Sequence, residues 1–368
     1  MIDSFDRVVI GAPGGLAIWM FEIIRDLAKR HRAGKIDVAL VDRLDRIGAR
    51  PADTVGRVLL THFPNPQIID ALTTLDSPVL YLEETAHLVV DHLVRRAGHA
   101  PIEAVRVCSA AYVANRSLGS VPRLAVLSRD TSDSLHQVLL DLSAHLELDV
   151  AERDLCAYAV HIAPPDVAPG QAVDAAVARF ASGLHSNAAT DAPDLSPEVS
   201  NLVTAILEPC RYWARMSVDR AILWPGRIFY HPEHPTEHVP RIIDLAGPAR
   251  MLSHGPYFYL PGGAYEAEVI IACSDIAQDA TFRLEVHAGP QCLARVRLHP
   301  KSAGAFSGRF SFTHGDISAE VQAQVISERG AIHGELSIVQ LAFMPREAVG
   351  EAGAQASGFR GNVAAVGQ

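Results

Sequence analysis

Basic residues are scarce in this chain: 32 Lys and Arg stand against 42 Asp and Glu in 368 residues, a formal net charge of −10. Affinity for polyanions depends on clustered cations that release counterions, so this balance excludes a broad electrostatic grip on DNA, RNA or an acidic membrane surface. Cysteine is sparse as well. Cys108, Cys156, Cys210, Cys273 and Cys292 form no C-x-x-C pair and cannot all close into bridges, which reads as reduced thiols. No apolar run reaches the length of a membrane span, and the acidic opening Met1-Ile2-Asp3-Ser4-Phe5-Asp6 is unlike the basic-then-apolar build of a secretory signal. The expectation is a soluble, cytoplasmic protein with no nucleic-acid or membrane partner.

The length exceeds one typical core and predicts two domains. From Arg7 to about Leu148, short apolar runs alternate with amphipathic stretches, as parallel strands alternate with crossover helices. The predicted strands are Val8–Gly11, Val38–Val41, Val58–Thr61, Val79–Leu82 and Leu124–Leu127. Asn65-Pro66 reads as an N-cap with proline at the first helical position, opening a helix over Gln67–Leu75. Further helical patterns cover Gln171–Leu184 and Pro197–Met216, on either side of a polar stretch at 185–196. After Val218 the texture changes to short alternating segments, at Tyr265–Cys273, Phe282–Val286 and Ile317–Val325, which predict an antiparallel β-sandwich or jelly roll. The expected layout is an open parallel α/β sheet with flanking helices over 1–184, a linker and helix over 185–216, the β-sandwich over 217–346 and a disordered tail over 347–368.

The first predicted strand runs into Gly11-Ala12-Pro13-Gly14-Gly15-Leu16-Ala17-Ile18-Trp19, the layout of a loop that holds a phosphate at a helix N-terminus. Neither a cation nor a hydroxyl stands in it. Further on come Leu60-Thr61-His62-Phe63-Pro64 and Val79-Leu80-Tyr81-Leu82-Glu83-Glu84-Thr85-Ala86-His87-Leu88-Val89-Val90-Asp91, and a weaker fourth piece, Ser128-Arg129-Asp130, follows the last strand. In their order, these pieces resemble the P-loop, PAPS-dependent sulfotransferase family over roughly residues 7–150. The resemblance implies a donor-binding loop whose backbone at Gly11, Gly14, Gly15, Leu16 and Ala17 would hold the 5′-phosphosulfate, and His62 as the base that takes the acceptor's proton. Gly14, Gly15 and Ala17 replace the family's cation, Ser and Thr. Glu83 and Asp91 fall where the family's Arg and Ser hold the 3′-phosphate. A carboxylate about 4 Å from a phosphate charge costs about 4 kcal/mol at an effective dielectric of about 20, or roughly a thousandfold in affinity. PAPS is therefore expected as a cofactor only if Arg95, Arg96 or Arg116 supplies compensating charge; otherwise none is expected.

In the second half, His254-Gly255-Pro256-Tyr257-Phe258-Tyr259-Leu260-Pro261-Gly262-Gly263 resembles the strand-turn-strand entry of jelly-roll, carbohydrate-binding-like modules. That resemblance implies Tyr257 and Tyr259 as stacking faces for a glycan; plain core packing of both rings is the competing reading. The His231–His238 segment concentrates His and Glu, but its prolines favour a solvated loop, and no metal is expected. Ser109 and Ser128 lack a G-x-S-x-G elbow, so no hydrolase triad is read. Three functions remain open: a non-catalytic binding or assembly factor in bacterial glycan metabolism, an active transferase using His62, or a structural protein that builds a homo-oligomer.

Overall fold

The computed structural model describes residues 6–41, 43, 47–48, 51–163, 172–183, 195–211, 220–274 and 280–346. Most of the polar stretch at 185–196 and the tail at 347–368 lie outside these residues. The chain divides into two compact units, Met1–Val203 and Thr204–Gln368.

The first unit carries β1 (Asp6–Gly11), α1 (Gly15–Lys29), β2 (Lys35–Leu40), β3 (Thr54–Thr61), α2 (Pro66–Thr74), β4 (Val79–Glu83), α3 (Ala86–Arg95), α4 (Pro101–Asn115), β5 (Leu124–Ser128), α5 (Leu135–His145), α6 (Glu152–Ile162) and α7 (Ala172–Gly183). The five strands form one parallel sheet in the order β2-β3-β1-β4-β5. Alternation along β1 decides what covers each face. Val9 packs with Leu60, Leu80 and Leu82 under α1, α5, α6 and α7, whereas Val8 and Ile10 pack with Leu59, Val79 and Tyr81 against Ile68 and Leu72 of α2. Strands buried on both faces, such as β1, β3 and β4, read as nearly continuous apolar runs. All five strands overlap the predicted segments, with β2 opening at Lys35 rather than Val38 and β3 at Thr54 rather than Val58. Asn65 caps α2 as expected, its side chain accepting from the Ile68 N–H at 2.9 Å.

The connection from β1 leads toward β2 on one side of the sheet, and the connection from β4 leads toward β5 on the other. The strand order reverses between β1 and β4, and at their carboxyl ends lies the crevice position where open α/β sheets take their ligands. At the opposite end, Arg57 holds Asp6 with two bonds of 2.9 and 2.7 Å in a fully buried pair.

α8 (Pro197–Ile206) crosses the division between the units and is followed by α9 (Glu208–Arg211). The single helix expected over Pro197–Met216 is thus two helices among the described residues, with Leu207 between them.

The second unit carries β6 (Ile222–Pro225), β7 (Ile243–Asp244), β8 (Met251–Ser253), β9 (Pro256–Phe258), β10 (Gly263–Ser274), β11 (Phe282–Ala288), β12 (Gln291–Leu298), β13 (Gly304–His314), β14 (Val321–Ser327) and β15 (Glu335–Arg346). Two antiparallel sheets result, β13-β10-β15-β6 with β7 on β15, and β12-β11-β14-β8 with β9 on β14, a sandwich-like arrangement. Trp224 of β6 joins them, its ring 4.6 Å from Phe343 in its own sheet and 5.8 Å from Phe258 in the other. The strand expected over Ile317–Val325 begins only at Val321. Asp316 Oδ1 accepts from both the N–H and the hydroxyl of Ser318, at 3.0 and 2.6 Å, and turns the chain before the strand starts.

His314, at the end of β13, is 1% exposed, and burial holds its imidazole below the ordinary value of 6.5 against a weaker pull from the Leu260 backbone and Asp316. The unfolded chain takes up this proton as pH falls through 6.5 and the folded chain does not. The second unit is therefore expected to lose stability on acidification from neutrality, by up to about 1.4 kcal/mol per pH unit for this one group. Urea titrations at a series of pH values should show a shallower slope for His314→Leu. A slope equal to that of the parent chain would mean that the ring titrates normally.

Candidate functional site

The loop after β1 enters α1 through Gly14, the N-cap, whose lack of a side chain leaves the first helical N–H groups without a local acceptor. The acceptor comes from the next strand over. Glu84, directly after β4, turns inward, and its Oε2 accepts from the Leu16 N–H at 3.2 Å. Its Oε1 accepts from Arg129 Nη1 at 2.5 Å, and Arg129 Nε donates to Asp174 Oδ1 of α7 at 2.6 Å. Arg129 is anchored in turn by its own N–H, which donates to the Glu83 carbonyl at 3.1 Å. The Tyr112 hydroxyl of α4 donates to the Glu84 carbonyl at 3.1 Å.

These contacts place a carboxylate of the protein itself at the helix N-terminus, where it complements the positive end of the helix dipole. Burial pushes the Glu84 carboxyl above the usual carboxylate range, while the Arg129 guanidinium and the Leu16 N–H oppose that rise. Arg129 is raised by the same pair, its desolvation outweighed by Glu84 and Asp174 together. Glycine at position 14 follows from the same geometry. A Cβ there would stand 2.1 Å from Glu84 Oε2 and 3.0 Å from Val89 Cγ2. Glycine at position 11 is required by the sheet, since a Cβ would come 2.9 Å from the Leu82 Cβ.

Of the residues assigned to the loop, Gly11, Gly14 and Gly15 line the turn, whereas the side chains of Leu16 and Ala17 point into the core of the unit at 0% and 1% exposure. His62 is brought beside the loop. Its Nδ1 lies 2.8 Å from the Gly11 carbonyl, and its ring packs 5.0 Å from Phe21. Asp91 pairs with Arg95 one turn along α3, so Arg95 is engaged within its own helix. Through its pair with Glu84, Arg129 is a cation that reaches the crevice position. The sequence holds it within the weak fourth motif, and its position at the carboxyl end of β5 is the signal that could have assigned it. Likewise Glu84, not Glu83, faces the loop, because adjacent residues leaving a strand point to opposite sides.

In the second unit, Phe258 and Leu260 fill the core at 0% and 1% exposure, while Tyr257 and Tyr259, before and between them, are half-buried. Tyr257 takes a φ of 68°, uncommon for a bulky residue, and its hydroxyl lies 2.7 Å from His254 Nδ1. Its ring is 6.3 Å from Tyr230, which stacks on His238 at 5.0 Å and His254 at 5.9 Å. Burial lowers the His254 imidazole, which favours the neutral ring. The arrangement is a partly exposed aromatic cluster.

The ligand atoms of His231, Glu233 and His234 lie within 4.8 Å of one another. Yet the two imidazoles stack at 5.1 Å, which sets their in-plane lone pairs side by side, and His231 Nδ1 accepts from the Glu233 N–H at 3.2 Å.

No family model matches the sequence, and no curated protein matches it. Among solved structures, a mouse sulfotransferase complexed with PAP is similar at 13% identity and a TM-score of 0.32 over 43% of this chain and 65% of that one. A CBM36 domain of a xylanase from the hindgut metagenome of Trinervitermes trinervoides is similar at 10% identity and a TM-score of 0.25 over 35% of this chain and all of that one. A CBM6 from a Zobellia galactanivorans laminarinase gives 13% identity and a TM-score of 0.22 over 34% of this chain. The chain spans less than two thirds of the sulfotransferase, and 18% of an insecticidal delta-endotoxin from Bacillus thuringiensis that is also similar. Among the described residues, no helix is long and apolar enough to cross a membrane.

Proposed function

We propose that this chain is a non-catalytic glycan-binding protein, in which a sulfotransferase-like α/β unit has lost its donor site and the β-sandwich unit carries the ligand. The observation that supports the first half is the Glu84 carboxylate on the Leu16 N–H, bound to Arg129 within the crevice of β1 and β4. An anionic donor would have to displace a buried ion pair from a helix N-terminus that is already satisfied. For the second half, the support is the half-buried Tyr257 beside Tyr230, an amphipathic aromatic surface suited to sugar rings and hydroxyls.

The test of the donor site is a thermal shift with PAP. A ligand that binds only the folded state at a hundred times its Kd adds about 2.7 kcal/mol. The wild-type chain is expected to show no shift at millimolar PAP, and micromolar binding by calorimetry would overturn the non-catalytic reading.

A second reading, an active transferase, draws on His62 beside Gly11. When Nδ1–H donates to the Gly11 carbonyl, Nε2 carries the lone pair a general base needs. PAPS turnover that is lost in His62→Ala would establish it.

A further inference from the structure

On a chain with a net charge of −10, the second unit concentrates arginine in one groove. The groove encloses about 700 Å³ over the end of the β12-β11-β14-β8 sheet, and Arg250, Arg283, Arg297 and Arg329 line it with a single carboxylate, Glu328. Strand alternation explains the placement. Phe282, Leu284, Val296 and Leu298 point into the core, so Arg283 and Arg297, paired across β11 and β12, stand on the outer face.

The partners of Arg250, Arg283 and Arg297 do not neutralise these three cations. Glu328 is shared, accepting from Arg283 Nη1 at 3.2 Å and from Arg297 Nε at 3.0 Å. Arg250 bonds the carbonyls of Ala246 and Asp244 at 3.0 and 2.7 Å, which fixes its guanidinium without cancelling its charge. Glu285, next along the face, already takes Arg295, Arg283 and His287, and this company holds its carboxyl below the usual range despite its burial. The Arg297 side chain is 65% exposed. Guanidinium forks that retain N–H groups and a local excess of positive charge match carboxylate or sulfate oxygens. The volume is that of a pocket for a small ligand or a few sugar rings.

We infer that this groove binds anionic saccharide, a chain whose sugar units carry carboxylate or sulfate groups. Thr281, which lines the groove with its hydroxyl 3.2 Å from His299 Nδ1, and the Glu328 carboxylate supply the neutral and acceptor groups that read sugar hydroxyls. A nucleic acid is disfavoured because a duplex needs cations spread along a stripe, and the rest of the chain is acidic. The inference rests on the reading of the second unit as glycan-binding and adds the ligand's charge and its location.

Calorimetry on the full chain with heparin and polygalacturonate, set against xylan, laminarin, a DNA duplex and polyglutamate, tests it. The two acidic saccharides are expected to bind, with affinity falling at higher salt and dropping at least tenfold in both Arg297→Glu and Arg329→Glu. Both substitutions sit on exposed positions, so melting curves should match the parent; Arg283→Gln is the more buried third variant. Equal binding of DNA or polyglutamate would overturn the saccharide assignment, and acidic-saccharide binding unaffected by all three variants would overturn the location. Binding of xylan or laminarin alone would refute the groove while leaving the glycan reading intact, and silence toward every saccharide would refute both.

Discussion

Glu84→Ala is expected to destabilise the first unit by about 3–5 kcal/mol, because it strips the partner from a buried cation. The Glu84 and Arg129 side chains are 3% and 11% exposed, and the only other carboxylate that the guanidinium meets among the described residues, Asp174, is itself 55% exposed and screened by water. The same substitution leaves the Leu16 N–H without its acceptor. Glu84→Leu with Arg129→Met should recover most of the loss, since replacing both members of a buried pair by apolar groups removes the desolvation penalty with the attraction. Urea titrations of the three variants, with hydrogen exchange at β1 and β4 to locate the change, would measure the coupling. A full loss in the double variant would show that the pair is not the unit of interaction.

The same variant probes what the carboxylate replaces. If Glu84 occupies the place of a ligand anion, Glu84→Ala should regain more stability from sodium sulfate than from sodium chloride at equal ionic strength, and by more than the parent chain does. The vacated helix N-terminus and Arg129 would then form an anion site. Equal responses in parent and variant would mean that sulfate acts only through its general exclusion from protein surface.

What the sequence reveals depends on how strongly burial marks each element. The central strands β1 and β3 are legible because both of their faces are covered, so that Val8-Val9-Ile10 and Val58-Leu59-Leu60 leave no polar position to confuse the period. α4 escapes notice for the opposite reason. Its buried residues include Ala104, Cys108, Ser109 and Ala111, small side chains with little contrast to their neighbours. β12 is missed because one of its faces carries Arg295 and Arg297, the second of which lines the groove. At the site, the motif order points to the loop and to His62, which lie side by side. It cannot show which of two adjacent glutamates turns inward, nor that Arg129, 45 residues beyond Glu84, closes the circuit. Those facts depend on where β4 and β5 end, to within a single residue.

Gly226→Ala is expected to destabilise the second unit by about 3–5 kcal/mol. A Cβ at position 226 would lie 1.7 Å from the Ile338 carbonyl oxygen and 2.6 Å from its carbon, and a backbone atom cannot swing aside as a side chain can. The close approach has a structural origin. β15 slips register against β10 between Ile270 and Ile271, and the bulge brings Ile338 against the residue that follows β6. Relief of the clash would pull β6 off β15 and with it Trp224, the side chain that joins the two sheets. Displacing a core tryptophan costs about 3–5 kcal/mol, against a total stability of about 5–15 kcal/mol for a typical domain. Gly315→Ala is the matched control, because nothing lies within 4 Å of its Cβ position. Hydrogen exchange at β10 and β15 should collapse in the first variant and stay unchanged in the second. If saccharide binds the second unit, calorimetry should follow the same division, lost with Gly226→Ala and kept with Gly315→Ala. Binding that survives the loss of β10 and β15 protection would place the ligand in the first unit.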